Sequence, residues 1–290
     1  MQTVTALEAL RKSVADLRAD GGTLALVPTM GALHEGHLTL VREAARRADK
    51  VAVSIFVNPT QFGEGEDLDA YPRRLAEDAA LLKAEGVSLL WAPDVEAMYP
   101  GGFATSVSVA GVSEGFCGAD RPGHFDGVAT VVCKLFNQVR PDIAVFGEKD
   151  WQQLAVIRRM ARDLDLVRPF ARDIIGVPTV READGLAMSS RNAYLSAEHR
   201  AAAAALPREM REAIARIEDG QEARATLQSL QYALAGEGFD RVDYAELADA
   251  ASLERLEERV DRPMRLLVAA RIGGTRLIDN MAVGAGGLGK

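Results

Sequence analysis

Residues 24–45, LALVPTMGALHEGHLTLVREAA, decide how the rest of the chain is read. The stretch opens on an apolar run, Leu24-Ala25-Leu26-Val27, of the length and character of a buried parallel strand. Pro28 and Gly31 end that strand, and an amphipathic pattern then begins, with Leu38, Val41 and Ala45 at helical spacing. Two histidines, His34 and His37, sit at the junction with Gly36 between them. A strand, a glycine-containing turn and a helix start form an anion site, because the unspent N–H groups and the helix dipole both favour phosphate. Histidines three apart on a helix share a face, so both rings can reach one ligand. Taken without its context, the tetrad is equally a pair of surface histidines at a helix start; the strand and turn before it favour a nucleotide site.

Outward from this stretch the same alternation repeats. Residues 5–19 read as a helix, with Leu7, Leu10, Val14 and Leu17 on one stripe, ended by Gly21-Gly22. VAVSIFV (51–57) is a second buried strand, stopped at Asn58-Pro59 and followed by the polar loop TQFGEGEDLDAYPRRL. A helix over 73–85, a strand over 87–93, a helix over 127–138, a strand over 142–147, a helix over 151–164 and a strand over 172–176 complete the series. Between them, 94–127 is loop-rich, with strand-like alternation in TSVSVAG (105–111). Strands alternating with helices, and polar residues at the strand ends, predict an α/β fold: a doubly wound parallel sheet, Rossmann-like. Ligands of such sheets lie beyond the carboxyl ends of the strands, and HEGH, NPTQF and GEKD all fall there.

From about residue 196 the pattern changes. An alanine-rich stretch (197–220) reads as helical despite Pro207, and a further helix spans 221–235. YAELADA (244–250), a helical LERLEERV (253–260), MRLLVAARIG (264–273) and TRLIDNMAV (275–283) follow, with a β-hairpin over Gly273-Gly274. This is a smaller α+β C-terminal domain, and the expected division is 1–184 and 185–290.

Composition bounds the function. A formal net charge of −8 argues against a nucleic-acid or anionic-membrane partner, both of which favour basic surfaces. Cys117 and Cys133 are too few for a disulfide framework and lack metal-site spacing, so reduced thiols in a cytoplasmic protein are expected. The amphipathic N-terminus with Glu8 does not read as a signal peptide, and no apolar run reaches the roughly 18 residues of a membrane span.

Four more groups carry chemistry. Lys149 in GEKD (147–150) is a point charge for phosphate, or else part of a solvated turn. MSSRN (188–192) offers two hydroxyls and a guanidinium to triphosphate oxygens, or else caps a short helix. Gln61 and Gln153, neutral amides near strand ends, suit hydroxyl and carboxylate recognition. Glu64, Glu66, Asp67 and Asp69 could attract a metal–nucleotide complex, but without a rigid ligand set they read rather as a solvated acidic loop.

PTMGALHEGH, FVNPTQF, RPGHFDGV, FGEKDWQQL and GVPTVREADGLAMSSRNAYLS, in this order, together with RVDYAEL and ARIGGTRLIDN, resemble the pantothenate synthetase (pantoate–β-alanine ligase) family, within the wider HxGH nucleotidyltransferases. The resemblance covers nearly the whole chain. It implies a ligase that condenses pantoate with β-alanine, using ATP and magnesium, through a pantoyl adenylate, with release of AMP and pyrophosphate. It implies that Met30, Gly31, Ala32, Leu33, His34, Glu35, Gly36 and His37 bind ATP, with His37 donating a proton to the departing pyrophosphate and His34 beside it. Gly147, Glu148, Lys149 and Asp150 continue that site, Lys149 as a catalytic cation, and Val180, Met188, Ser189, Ser190 and Arg191 complete it. Gln61 is implied to bind pantoate and β-alanine and Gln153 to bind pantoate, while Asn58, Arg121 and His124 lie in matching substrate motifs. No protein-held metal ligand set is implied. A homodimer through the N-terminal domain is. Two other readings predict different products: a nucleotidyltransferase that leaves the nucleotide on its product, and a nucleotide-binding regulator without turnover. The segment over 162–174 reads as a few residues longer than the family pattern, a surface extension.

Overall fold

The computed structural model describes residues 1–63 and 65–284. It divides into two compact units, the first built from Met1–Ser113, Arg121–Glu148 and Gln153–Pro178, the second from Glu114–Asp120, Lys149–Gln152 and the chain from Thr179 on. The strands and helices follow the apolar runs closely.

In the first unit, strands β1 (Gln2–Val4), β2 (Leu24–Thr29), β3 (Lys50–Ile55), β4 (Leu89–Trp91), β5 (Ile143–Gly147) and β6 (Ile174–Val177) form one sheet in the order β1-β4-β3-β2-β5-β6. Every pairing is parallel. Strands of a parallel sheet are buried on both faces, which is why Leu24, Ala25, Leu26 and Val27 are fully enclosed and read as an unbroken apolar run. Helices α1 (Leu7–Leu17), α2 (Glu35–Arg47), α3 (Leu75–Ala84), α4 (Val95–Met98) and α6 (His124–Val139) connect these strands. Helix α5 (Cys117–Asp120) belongs to the second unit, and α7 (Trp151–Asp163) begins there and continues into the first. The chain runs from β2 outward to β3 on one side, then returns to place β5 on the other. The β2–β5 pair is therefore the switch point of the sheet, where ligand crevices of α/β folds open. The short β1 at the sheet edge has no sequence signal beyond three residues of alternation. The stretch over 105–111 joins no ladder among the described residues; the Val107 N–H is spent on Thr130 Oγ1 at 2.9 Å.

The second unit is α+β. Strands β7 (Arg241–Asp249), β8 (Met264–Ile272) and β9 (Thr275–Val283) form an antiparallel meander. The β8–β9 hairpin turns on Gly273 and Gly274, both in the left-handed region that a tight turn of this kind requires. Helices α8 (Ala197–Ala203), α9 (Ala205–Glu218) and α10 (Ala223–Gly236) enclose a core that includes Leu206, Met210, Leu230, Leu247, Leu266 and Val268. Pro207 does not interrupt a helix. It lies in the first turn of α9, where its missing N–H has no helical partner to lose. The expected helix over 253–260 is absent: Leu253 is left-handed, and the segment connects β7 to β8 with the Leu256 N–H donating to Leu247 O at 2.9 Å.

Candidate active site

The turn from β2 to α2 is held from two sides, by β3 and by α3. The Gly31 N–H donates to Thr29 Oγ1 at 3.2 Å, and that hydroxyl donates in turn to Ser54 O of β3 at 2.9 Å. Gly31 and Ala32 both have positive φ, and a Cβ on Gly31 would stand 3.0 Å from Asp78 Oδ2. The Asp78 carboxylate, on α3, accepts the N–H groups of Ala32 and Leu33, each at 2.9 Å. Asp78 is 2% exposed, a buried acid whose charge is satisfied by the turn it fixes.

This turn delivers the histidines. His34 is the N-cap of α2, in extended conformation, and its Nδ1 accepts the Gly36 N–H at 3.2 Å. His37 Nδ1 accepts the N–H of His34 at 3.3 Å, and the two rings lie 4.1 Å apart. A nitrogen that accepts a backbone N–H carries no proton, so each neutral ring holds its hydrogen on Nε2. Imidazole replaces the usual Ser, Thr, Asp or Asn at this cap.

The Asn58–Gln61 turn packs beside it. Asn58, 1% exposed, donates from Nδ2 to Gln61 Oε1 and to Gly127 O, both at 3.1 Å, while its Oδ1 accepts the Tyr99 hydroxyl at 2.8 Å. Gln61 Nε2 lies 3.0 Å from Met30 Sδ, joining this turn to the one that carries the histidines. The Gln61 carbonyl accepts from Arg121 at 3.1 Å and from His124 Nδ1 at 2.7 Å. His124 is thereby protonated on Nδ1, and its Nε2 accepts from Arg121 at 3.0 Å. Arg121 also grips Glu66 through two parallel bonds, 2.7 and 2.5 Å long. Burial opposes the charge on Glu66, but the guanidinium outweighs it and holds the carboxyl below its ordinary range. One acid of the supposedly solvated loop is thus a partner of the site; Glu64 lies outside the described residues.

Gly147 ends β5, next to β2, and Glu148 follows it. Two adjacent glutamines on α7 are treated differently. Gln152 is spent on the Cys117 N–H at 3.0 Å and on Gly115 O at 2.8 Å. Gln153, half-buried, makes no side-chain hydrogen bond among the described residues.

Within the second unit, Lys149 Nζ stands 3.7 Å from Asp150. Val180 and Met188 close a hairpin, with the Met188 N–H donating to Val180 O at 3.0 Å. Ser189 caps the short turn Ser190–Tyr194 by accepting the Arg191 N–H at 3.3 Å, so the capping reading of MSSRN holds for Ser189. Among the described residues no group of three or more His, Cys, Asp and Glu side chains is placed to hold a metal. Asp78, Tyr99 and Glu66 were not readable as site residues. For Asp78 the sequence gives no signal beyond its place in the helix expected over 73–85.

The chain matches the pantoate–β-alanine ligase family over residues 2–282. It is 69% identical over 284 residues to a pantothenate synthetase of Novosphingobium aromaticivorans, covering 98% of this chain and 99% of that protein. A pantothenate synthetase of Sphingopyxis alaskensis is 64% identical, with 98% and 100% covered. Among solved structures, pantothenate synthetase from Thermus thermophilus superposes with a TM-score of 0.89 at 47% identity, covering 97% of this chain and 99% of that one. A pantoate–β-alanine ligase from Francisella tularensis, complexed with beta-gamma ATP and β-alanine, does so with a TM-score of 0.81 at 31% identity, covering 97% of each. No helix among the described residues is long and apolar enough to cross a membrane. With its parallel sheet, its HxGH turn and these matches along nearly its whole length, the chain belongs to the pantoate–β-alanine ligase family, and is by that membership a ligase.

Proposed function

We propose that this ligase makes pantothenate from pantoate and β-alanine in two steps, with ATP consumed in the first. A carboxylate is a poor acyl donor because its leaving group would be oxide, so the pantoate oxygen first attacks the α-phosphorus of ATP and pyrophosphate departs. The β-alanine amine then attacks the acyl carbon of the pantoyl adenylate, AMP leaves with the bridging oxygen, and the amine gives up a proton.

The observation that carries this reading is the Gln61 Nε2–Met30 Sδ contact, which puts a buried carboxamide turn against the turn bearing His34 and His37 at the switch point of the sheet. Met30 to His37, Gly147 to Asp150, Val180 and Met188 to Arg191 are the proposed ATP residues. His37 is proposed to donate its Nε2–H as a hydrogen bond to the departing pyrophosphate, with His34 beside it. Lys149 and Arg191 stabilise the charge that develops as pyrophosphate leaves. Gln61 and Gln153 hold the pantoate carboxylate in line, and Gln61 is proposed to bind β-alanine as well, a ligand with which the Francisella ligase is complexed. Asn58, Arg121 and His124 frame that subsite. Were magnesium to enter with ATP, it would offset phosphate charge, and Asp150, half-exposed beside Lys149, is the carboxylate that would hold it. A cytoplasmic homodimer is part of the same reading.

The test is pyrophosphate release with pantoate present and β-alanine withheld or added. Release without β-alanine, followed by AMP and an amide when it is supplied, is the expected result. A stable nucleotidylated product, or ATP binding with no pyrophosphate released, would overturn it.

A further inference from the structure

The middle of strand β9 carries two polar residues, Asp279 and Asn280, that are 2% and 4% exposed and have no part in the reaction above. Adjacent residues of a strand point to opposite faces, so the pair reaches two segments at once. The Asp279 carboxylate takes both terminal nitrogens of Arg181, at 2.6 and 2.9 Å. Arg181 also donates to Gly185 O at 3.0 Å and bridges to Ala187, which closes the hairpin whose ends are Val180 and Met188. Asn280 Nδ2 donates to the main-chain oxygen of Lys149 at 2.8 Å. Its amide is oriented by Arg265, whose Nε donates to Oδ1 and whose guanidinium lies 3.5 Å over the Trp151 ring, two residues beyond Lys149.

We propose that Asp279 and Asn280 are positioning residues of the ATP site, the middle of one strand fixing Lys149 through its carbonyl and the Val180–Met188 hairpin through Arg181. This rests on the ATP assignment of those segments. Phosphate recognition by a lysine depends on where its backbone stands, because the flexible stem holds no position of its own. A fixed carbonyl at Lys149 and a fixed hairpin supply the frame that such a site needs. The choice of side chain at position 280 follows: an amide accepts from Arg265 and donates to Lys149 O, whereas a carboxylate has no proton to donate.

Asn280→Asp is therefore an isosteric test, since it keeps the Arg265 partner and loses the Lys149 bond. Asn280→Ser, which adds no charge, is measured beside it, with thermal midpoints for both. ATP affinity is read by calorimetry in the wild type, in each variant, in Lys149→Ala and in the double variants. The expected result is a loss of about tenfold in ATP affinity in either position-280 variant, with the pantoate KM moved less than about twofold. In the Lys149→Ala background the same changes are expected to cost no more than about twofold, because the positioned group is gone. Wild-type ATP affinity in both variants, or an equal loss with and without Lys149, overturns the proposal while the ATP reading stands. Failure of the wild type to bind ATP overturns that reading, and the proposal with it.

Discussion

The carboxylate of Asp78 on α3 accepts the N–H of Ala32 at 2.9 Å, across 46 residues of sequence, and so holds a left-handed residue at the mouth of the β2–α2 turn. Its second oxygen does the same for Leu33. Removing a buried acceptor leaves its donors unsatisfied, at about 1–3 kcal/mol each. Asp78→Ala is expected to lower stability by about 2–4 kcal/mol in a denaturant titration, and to weaken ATP use, because the turn that it fixes carries the histidines. Asp78→Asn, which retains one acceptor, is expected to lose less than half of that.

At the histidines, fold and chemistry are separable. His34 caps α2 through Nδ1, a task worth about 0.5–2 kcal/mol that asparagine also performs. His34→Asn is accordingly expected to keep the melting temperature while losing activity. His37→Ala and Lys149→Ala are each expected to slow pyrophosphate release by about 10²–10³-fold, with a stability change under about 1 kcal/mol. Wild-type release at saturating ATP in both would remove these residues from the mechanism.

Glu66 links the acidic loop to the carboxamide turn through Arg121, whose guanidinium bonds both Glu66 and the Gln61 carbonyl. Its folded pKa lies below the ordinary 4.5, so its charge stabilises the folded chain fully above that value and ceases to do so as pH falls through the folded value. Glu66→Gln is expected to lower stability at neutral pH, with the gap to the wild type closing as the medium is acidified below 4.5; urea titrations across that range check the sign. A gap that widens toward acid would contradict the pairing.

How much of this could be read beforehand follows from the range of each interaction. Leu24–Val27 was legible because a strand buried on both faces must be apolar throughout. The 253–260 segment misled because Leu253, Leu256 and Val260 imitate a helical stripe. Asp249 instead draws in the N–H groups of Ala251 and Ser252, at 2.9 and 2.7 Å, and turns the chain away from a helix. Motif residues such as His37 and Lys149 announce themselves by their chemistry. Those that position them do not: Asp78, Glu66 and Asn280 act on groups 46, 55 and 131 residues away, and nothing local distinguishes them from surface polar residues.

Gly127 is the sharpest case of such long-range constraint. It lies inside α6, where glycine costs about 1 kcal/mol against alanine and has no local reason to be. A Cβ there would stand 2.2 Å from Thr60 O and 2.7 Å from Gln61 N, both main-chain atoms. The helix can approach the Asn58–Gln61 turn, and accept the Asn58 amide on the Gly127 carbonyl, only because that position is bare. Gly127→Ala is therefore expected to reverse the usual helix preference and destabilise the chain by about 2 kcal/mol or more through overpacking. Because the displaced atoms belong to the Gln61 turn, the KM for pantoate is expected to rise about tenfold, with the KM for ATP less affected. A substitution that raised the melting temperature and left the pantoate KM alone would show that α6 and this turn are not in the contact described.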